Sequence, residues 1–155
     1  MKFTKLLTLA LAGVILSLNA HAQTAGPLLW TGYIDSLGNY LPLYSGGGTF
    51  SRFTPGVAIT VTRVQMQAAQ GAYIYGTKEK CNPRPKVRVT DGTINYDLAI
   101  PNARLTGRYP NAVSADSGTI SVGFSANSAL RLVVIPGETG CYASSVNVTV
   151  QYSVN

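Results

Sequence analysis

The chain is poor in the residues on which most enzyme chemistry depends. Its 155 residues include one histidine, two cysteines, one tryptophan and six acidic residues, and charged residues make up only 12% of the sequence. So few charges argue against a coiled coil. A hydrophobic fraction of 46% is too high for a disordered chain. The length predicts a single domain.

A short basic start followed by an apolar run opens the chain. Lys2 and Lys5 precede the run Leu6–Leu18, and the small-x-small pattern Ala20-His21-Ala22 follows it. These parts in this order predict a secretory signal peptide over residues 1–22 and one mature domain over residues 23–155. The run of 13 residues is shorter than the roughly 20 that a membrane-spanning helix needs. A buried or membrane-anchoring helix is the alternative interpretation.

Removal of this segment changes the chemistry available to the protein. Cleavage after Ala22 leaves 133 of the 155 residues, and the loss of Lys2 and Lys5 lowers the net charge from +6 to +4. His21 is lost as well, so the mature chain contains no histidine. Nucleophilic catalysis with a histidine base and histidine-ligated metal sites are therefore excluded.

The two cysteines, Cys81 and Cys141, are an even pair in a chain predicted to be exported, which favours a disulfide. Two free buried thiols are the alternative. Paired cysteines leave no thiolate nucleophile, and two cysteines without histidine cannot form a four-ligand zinc site of the usual composition. We predict neither a metal nor a cofactor.

Apolar and polar residues alternate with a period of two in several parts of the mature chain, and no stretch has the helical pattern. We therefore predict an all-β domain, an antiparallel β-sandwich of about eight or nine strands that is either jelly-roll or immunoglobulin-like. The segment 36–39 is predicted to be a turn and the segment 104–117 an irregular connection. Other predicted strands are Leu28–Ile34, Tyr40–Tyr44, Ala72–Tyr75, Ile120–Phe124, Leu130–Ile135 and Val146–Val154.

One hairpin can be assigned a register from its turn residues. Asp91-Gly92 favours a two-residue loop of type I′. That loop pairs Val89 with Ile94, and it brings Lys86 opposite Asp97 as a cross-strand ion pair. The same register places the apolar residues of both strands on the core face.

The alternation changes phase between Val57–Val61 and Val64–Ala68. A one-residue β-bulge near Thr62-Arg63 would keep both sets of apolar residues on the core. The alternative is a strand that crosses from one sheet to the other.

A cluster of five cations, preceded by two tyrosines, is the first candidate binding site. We interpret it as an anion-binding patch, with the tyrosines available for stacking on sugar rings. The alternative is a solvated sheet edge that carries lysine to block edge pairing. The cluster comprises Tyr73, Tyr75, Lys78, Lys80, Arg84, Lys86 and Arg88.

Trp30 and Tyr44 are further candidates, because flat aromatic faces on β-sandwiches bind sugar rings. The alternative is that both pack in the core with their polar tips in water.

A serine nucleophile with a lysine base is formally possible, and paired carboxylates, as in glycoside hydrolysis, are a further route to catalysis. Each acid of the mature chain has a simpler role at a turn, in a loop or beside a cation. We therefore predict a protein that is not an enzyme, and a carboxylate-pair hydrolase is an alternative. The six acids are Asp35, Glu79, Asp91, Asp97, Asp116 and Glu138.

The last ten residues resemble the terminal strand of chaperone–usher pilus subunits through the alternation of Val146, Val148, Val150 and Tyr152. The resemblance implies assembly by strand exchange, with Gln23–Ile34 as the exchanged strand. The chain departs from the family's pattern in that Cys141 lies near the C-terminus and Tyr152 is fourth from last.

These observations together predict an exported binding or surface-interaction module in the periplasm or outside the cell. The expected ligand is an envelope glycan or another protein. Nucleic acid is not expected, and membrane contact is expected only through the signal peptide during export. A structural subunit of a fibre or coat is the alternative function.

Overall fold

The computed structural model describes residues 27–38, 49–77, 79–105 and 110–155, and within them the chain forms nine β-strands and no helix. The strands are β1 (Leu28–Gly38), β2 (Thr49–Phe53), β3 (Ile59–Ile74), β4 (Lys86–Thr90), β5 (Asn95–Ala99), β6 (Val113–Asp116), β7 (Val122–Phe124), β8 (Leu130–Ile135) and β9 (Cys141–Val154).

The strands form two sheets in which early strands pair with late ones. Sheet A has the order β1-β9-β3-β6, with β7 also pairing with β3, and sheet B has the order β2-β8-β4-β5. Each of these pairs is antiparallel. The nested pairing of first strand with last is that of a jelly roll. The predicted all-β sandwich is thus confirmed, and the strand order selects its jelly-roll form.

Alternation explains why these residues form a sandwich. In β8, Leu130, Leu132 and Val134 are buried while the residues between them are half-buried on the other face. In β9, Val148 and Val150 are buried in the same way. Burying side chains of this size contributes about 1.5–3 kcal/mol each. The core therefore lies between the inner faces of the two sheets.

The predicted bulge in β3 is confirmed. Val61 pairs with Tyr152 and Arg63 pairs with Gln151, so Thr62 is the extra residue. The bulge returns the strand to phase, because Val61 and Val64 on either side of it are both buried. Val57, by contrast, lies before the strand and is 48% exposed.

The predicted hairpin register is wrong by two residues. Val89 pairs with Tyr96, and Asp91–Ile94 forms a four-residue loop. A type I′ turn needs a positive φ at both central residues, and of Asp91 and Gly92 only Gly92 has one, at +101°. The Asp91 carboxylate instead accepts hydrogen bonds from the amides of Thr93 and Ile94, at 2.8 and 2.7 Å. These bonds stabilise the longer loop, and Ile94 is 39% exposed.

Three other boundaries differ from the predictions. Residues 36–38 continue β1 instead of turning, because the long strand β9 offers them pairing partners, with Leu37 opposite Ala143. Ala72–Ile74 ends β3 and is not a separate strand, and β6 lies inside the segment 104–117 that was predicted to be irregular. Tyr40–Tyr44 lies outside the described residues.

The N-terminal strand fills a position in its own chain. From Leu28 to Gly38, β1 pairs with β9, so Leu28–Ile34 of the segment proposed for exchange lies beside the C-terminal strand of the same molecule. Strand exchange between copies would require β1 to leave this place, and it stays a prediction.

The disulfide Cys81–Cys141 joins the loop after β3 to the first residue of β9, as predicted. Both cysteines are buried. The Asn102 side chain holds the loop by accepting a hydrogen bond from the Cys81 amide at 3.0 Å and donating one to its carbonyl at 3.3 Å. The Glu138 carboxylate also accepts a hydrogen bond from the Asn82 amide. The disulfide and these hydrogen bonds together fix the loop that precedes β4 against sheet A.

Candidate functional site

The fold divides the predicted basic cluster between a strand and a loop. Lys86 and Arg88 lie on β4, whereas Lys80 and Arg84 are exposed in the loop that precedes it. Lys78 lies outside the described residues. The alternative of a protected sheet edge is wrong for Lys86 and Arg88, because β4 lies between β8 and β5.

The two tyrosines of the predicted cluster lie at the end of β3 in the other sheet: Tyr73 is on the strand and Tyr75 is in the turn after Ile74. Tyr73 lies opposite Tyr142 in sheet A, with ring centroids 5.6 Å apart in an edge-to-face contact. Tyr73 is only 8% exposed, and this burial raises the pKa of its hydroxyl. Tyr75 is 59% exposed and contacts the same Tyr142 ring at 6.3 Å. The structure therefore does not support a stacking role for Tyr73.

Trp30 is a core residue. It is 8% exposed, its Nε1–H donates a hydrogen bond to Ser51 Oγ at 2.8 Å, and its ring centroid lies 5.7 Å from that of Phe53. These contacts join β1 of sheet A to β2 of sheet B. The structure therefore does not support a sugar-stacking role for Trp30. Tyr44 lies outside the described residues.

The outer face of sheet B carries most of the cations that the fold brings together. Strand alternation buries the apolar residues of β4 and β8 and directs the charged residues between them outward. Arg52 of β2 lies directly opposite Arg131 of β8. We call this surface the basic face; it comprises Arg52, Lys86, Arg88 and Arg131, together with the single carboxylate of Asp97.

Asp97 neutralises only part of this charge. Arg88 Nε and Nη2 donate to the two carboxylate oxygens of Asp97 at 2.6 and 2.9 Å, and Lys86 Nζ lies 3.7 Å from Oδ2. The hydrogen bonds from Arg88 hold the pKa of Asp97 below its ordinary value. Among the described residues no carboxylate lies within 4 Å of Arg52 or Arg131. The basic face therefore has four cations and one anion.

A small cavity of about 290 Å³ opens on the basic face beside the β4–β5 loop, and we call it the turn cavity. Arg131 Nη2 lies 3.0 Å from the position that a Cβ on Gly92 would occupy, so the guanidinium packs against this loop. The Arg131 Nε–H is buried and has no hydrogen-bond partner among the described residues. The cavity is lined by Arg88, Thr90, Gly92, Asn95, Arg131, Val133 and Ile135.

Sequence reasoning missed Arg52, Asn95 and Arg131. Arg131 interrupts the apolar run Leu130–Ile135, and strand alternation alone would have directed it away from the buried Leu130 and Leu132. Its neighbour Arg52 could not be found in this way, because the pairing of β2 with β8 has no local signal in the sequence.

The outer face of sheet A is polar but balanced in charge. One concavity on it, of about 450 Å³, is lined by Gln65, Gln67, Ser114, Asp116, Asn147 and Thr149, together with Met66 and Ala115. Asp116 accepts hydrogen bonds from Arg63 Nε at 2.8 and 3.1 Å and from Gln65 Nε2 at 2.9 Å. The bonds from Arg63 hold the pKa of Asp116 far below its ordinary value. On this concavity of sheet A the Asp116 carboxylate is balanced by Arg63, whereas on the basic face of sheet B the cations outnumber the carboxylate of Asp97.

Four of the described side-chain carboxylates have structural partners, and Glu79 is exposed. Asp97 and Asp116 are ion-paired, Asp91 binds the amides of its own loop, and Glu138 binds the Asn82 amide. Hydrogen bonding from the Ile94 and Thr93 amides lowers the pKa of Asp91 as well. A glycosidase acid needs a raised pKa to hold its proton, so these three aspartates are unsuited to that role. Within the described ranges no three His, Cys, Asp or Glu side chains are grouped as metal ligands would be.

In the part of the chain that the structure describes, no helix is long and apolar enough to cross a membrane.

No protein family matches the chain, and no curated protein is significantly similar to it. Among solved structures, the chain is similar to a chain of the Cyanophage Pam1 capsid asymmetric unit, with a TM-score of 0.41, 17% identity and full coverage of both chains. It is also similar to Eiger TNF from S. frugiperda, with a TM-score of 0.34 and 10% identity over 83% of this chain and 94% of that chain.

Proposed function

We propose that the protein is an exported, non-enzymatic binding module that attaches to an acidic glycan through the basic face. The observation that carries this proposal is the pair Arg52 and Arg131, which lie directly opposite each other and have no carboxylate within 4 Å among the described residues. Like charges in this cross-strand position destabilise a sheet. An anionic ligand placed over the pair removes that repulsion.

The distribution of charge supports binding on sheet B and not on sheet A. The chain has a net charge of +6, yet the concavity of sheet A contains a carboxylate that is already ion-paired. On sheet B three cations remain after Asp97 is paired with Arg88. An extended polyanion gains attraction from several such charges at once, whereas a neutral ligand gains none.

Export is supported by two independent features. The leader pattern of residues 1–22 is that of a secretory signal peptide. A buried disulfide is typical of proteins that fold in an oxidising compartment. Mass measurement of the protein recovered from an exporting host tests this part, with Gln23 expected as the first residue. A chain that keeps residues 1–22 in the exported fraction would contradict it.

The binding proposal is tested with a polyuronate as the acidic glycan and dextran as the neutral one. We expect the purified protein to bind the polyuronate and not dextran. Affinity should weaken by about tenfold or more between about 50 and about 300 mM NaCl, because salt screens exposed charges. Binding that is independent of salt, or equal for both polymers, would overturn the proposal.

Two matched variants locate the binding surface. Arg52→Gln removes a cation from the basic face, and Arg63→Gln removes one from the outer face of sheet A. Both lower the net charge by one. We expect Arg52→Gln to weaken polyuronate binding by about threefold or more, and Arg63→Gln to leave it nearly unchanged. Equal losses would mean that net charge and not the basic face governs binding.

A further inference from the structure

We propose that the turn cavity is the subsite that binds the carboxylate of a single uronate residue, with Arg131 as its anchor. This inference rests on the proposed function, since it assigns one sugar unit of the acidic glycan to one place on the basic face. It also goes further, because it makes recognition depend on the shape of a site and not only on charge.

Arg131 has the features of an anion-binding residue. Its guanidinium lies against the β4–β5 loop, beside Gly92, and its Nε–H is buried without a hydrogen-bond partner among the described residues. Buried polar groups are nearly always paired, and an exception in a native structure calls for an acceptor. A carboxylate has two oxygens that match the two parallel N–H groups of a guanidinium. A small rotation of the Arg131 side chain towards the cavity would let a carboxylate accept both bonds.

The charges around the cavity favour a ligand group with one negative charge. Arg88 is already engaged by both oxygens of Asp97. The Asp91 carboxylate is engaged by the amides of Thr93 and Ile94. Arg131 attracts the Asp91 carboxylate, whose pKa it helps to lower, but among the described residues it has no carboxylate within 4 Å. One guanidinium in this position balances a carboxylate better than a dianionic phosphate.

The size and lining of the cavity fit one sugar residue. Its volume of about 290 Å³ is at the lower end of the range for small-ligand sites. The Asn95 amide and the Thr90 hydroxyl line it and have hydrogen-bonding capacity for sugar hydroxyl groups. Val133 and Ile135 add apolar surface for the C–H groups of a sugar ring. The cavity is open to solvent, so a residue within a longer polymer could occupy it.

The test uses glucuronate as a monomeric probe, with glucose and glucose 6-phosphate as comparisons, in amide-detected NMR titrations of the whole protein. We expect glucuronate to shift the amide signals of Gly92 and Asn95 in a saturable way, and glucose to leave them unchanged. Glucose 6-phosphate should bind more weakly than glucuronate. Tighter binding of the phosphate, or glucuronate shifts located elsewhere, would overturn the inference.

Charge-conserving variants separate the cavity from the general attraction of the basic face. Arg131→Lys keeps the charge but removes the two parallel donors, and Arg63→Lys makes the same exchange on sheet A, outside the basic face. We expect Arg131→Lys to weaken glucuronate binding by about tenfold or more and Arg63→Lys to leave it unchanged. Polyuronate binding and its salt dependence should persist in both. Equal effects of the two variants would overturn the inference.

Asn95→Ala provides a second probe of the cavity, because Asn95 lies on the edge strand β5 and its removal leaves the hydrophobic core intact. We expect severalfold weaker glucuronate binding with an unchanged thermal midpoint, and unaltered glucuronate binding would count against the subsite.

The results that would contradict the inference differ from those that would contradict the proposed function. If polyuronate binds with the expected salt dependence while glucuronate does not bind, only the subsite is wrong. If polyuronate does not bind at all, the proposed function is wrong.

Discussion

Arg88 and Asp97 lie directly opposite each other on β4 and β5, and two hydrogen bonds join the guanidinium to the carboxylate. The pair is partly shielded from water, since the two side chains are 32% and 26% exposed. It stabilises the β4–β5 hairpin, and it also places a negative charge on the basic face. Stability and ligand attraction therefore compete at Asp97.

Replacing Asp97 separates these two effects. In Asp97→Asn we expect the free energy of unfolding to fall by about 1 kcal/mol, because the ion pair is lost. We also expect polyuronate to bind about threefold or more tightly, because one negative charge leaves the basic face. Denaturant unfolding and a binding titration measure the two quantities. Asp116→Asn is the control: it breaks the Arg63 ion pair on sheet A and should lower stability without strengthening binding.

Acid should unfold the protein through its aspartates. Hydrogen bonds hold the pKa values of Asp91, Asp97 and Asp116 below those of an unfolded chain, which are about 3.9. Their contribution to stability is therefore present above about pH 4 and is lost as the pH falls through the lowered values. We expect a thermal midpoint that is nearly constant from about pH 7 to pH 5 and falls between about pH 4 and pH 2. A midpoint that stays flat down to pH 2 would contradict this assignment.

The disulfide should contribute a large part of the stability. Cys81 and Cys141 are separated by 60 residues, and closing a loop of that length is worth about 4 kcal/mol in the chain-entropy model. We expect urea to unfold the double variant Cys81→Ser, Cys141→Ser at a much lower concentration than the parent. Reductant should destabilise the parent and leave the variant unchanged. An equal response of both proteins to reductant would show that the bond does not form in solution.

Trp30 offers a probe that distinguishes the core from the ligand site. It is the only tryptophan, and it is buried against Phe53 with its indole N–H bonded to Ser51. We expect fluorescence emission at short wavelength in the folded protein and a red shift on unfolding. Saturating polyuronate should not change it, because the basic face lies on the outer side of sheet B. Quenching by the polymer would place Trp30 in contact with the ligand and would contradict the proposed surface.

The fold could be predicted from the sequence because its signals are local. The period of two in Val146–Val154 identified β9, and the phase change at Thr62-Arg63 identified the bulge in β3. The predicted register of the β4–β5 hairpin was wrong, and the reason is also local. The Asp91 side chain binds the amides of Thr93 and Ile94, and these bonds favour a loop of four residues over the expected loop of two.

The candidate site could be predicted only in part, because proximity in sequence and proximity in the sandwich differ. Lys80, Arg84 and Arg88 are close in sequence, but only Arg88 lies on the basic face. Arg52 and Arg131 are distant in sequence and become neighbours through the pairing of β2 with β8. Which strands pair is decided by the whole core, so no short segment carries the information.

The strand order also determines when the protein can fold. Strand β9 lies between β1 and β3, so sheet A lacks this inner strand until β9 has left the ribosome. Pairing of β1 with β9, with Leu28 opposite Tyr152, requires a long loop to close before the strands gain any contacts. Such contacts make folding slow, in the range of milliseconds to seconds. This delay is built into the topology.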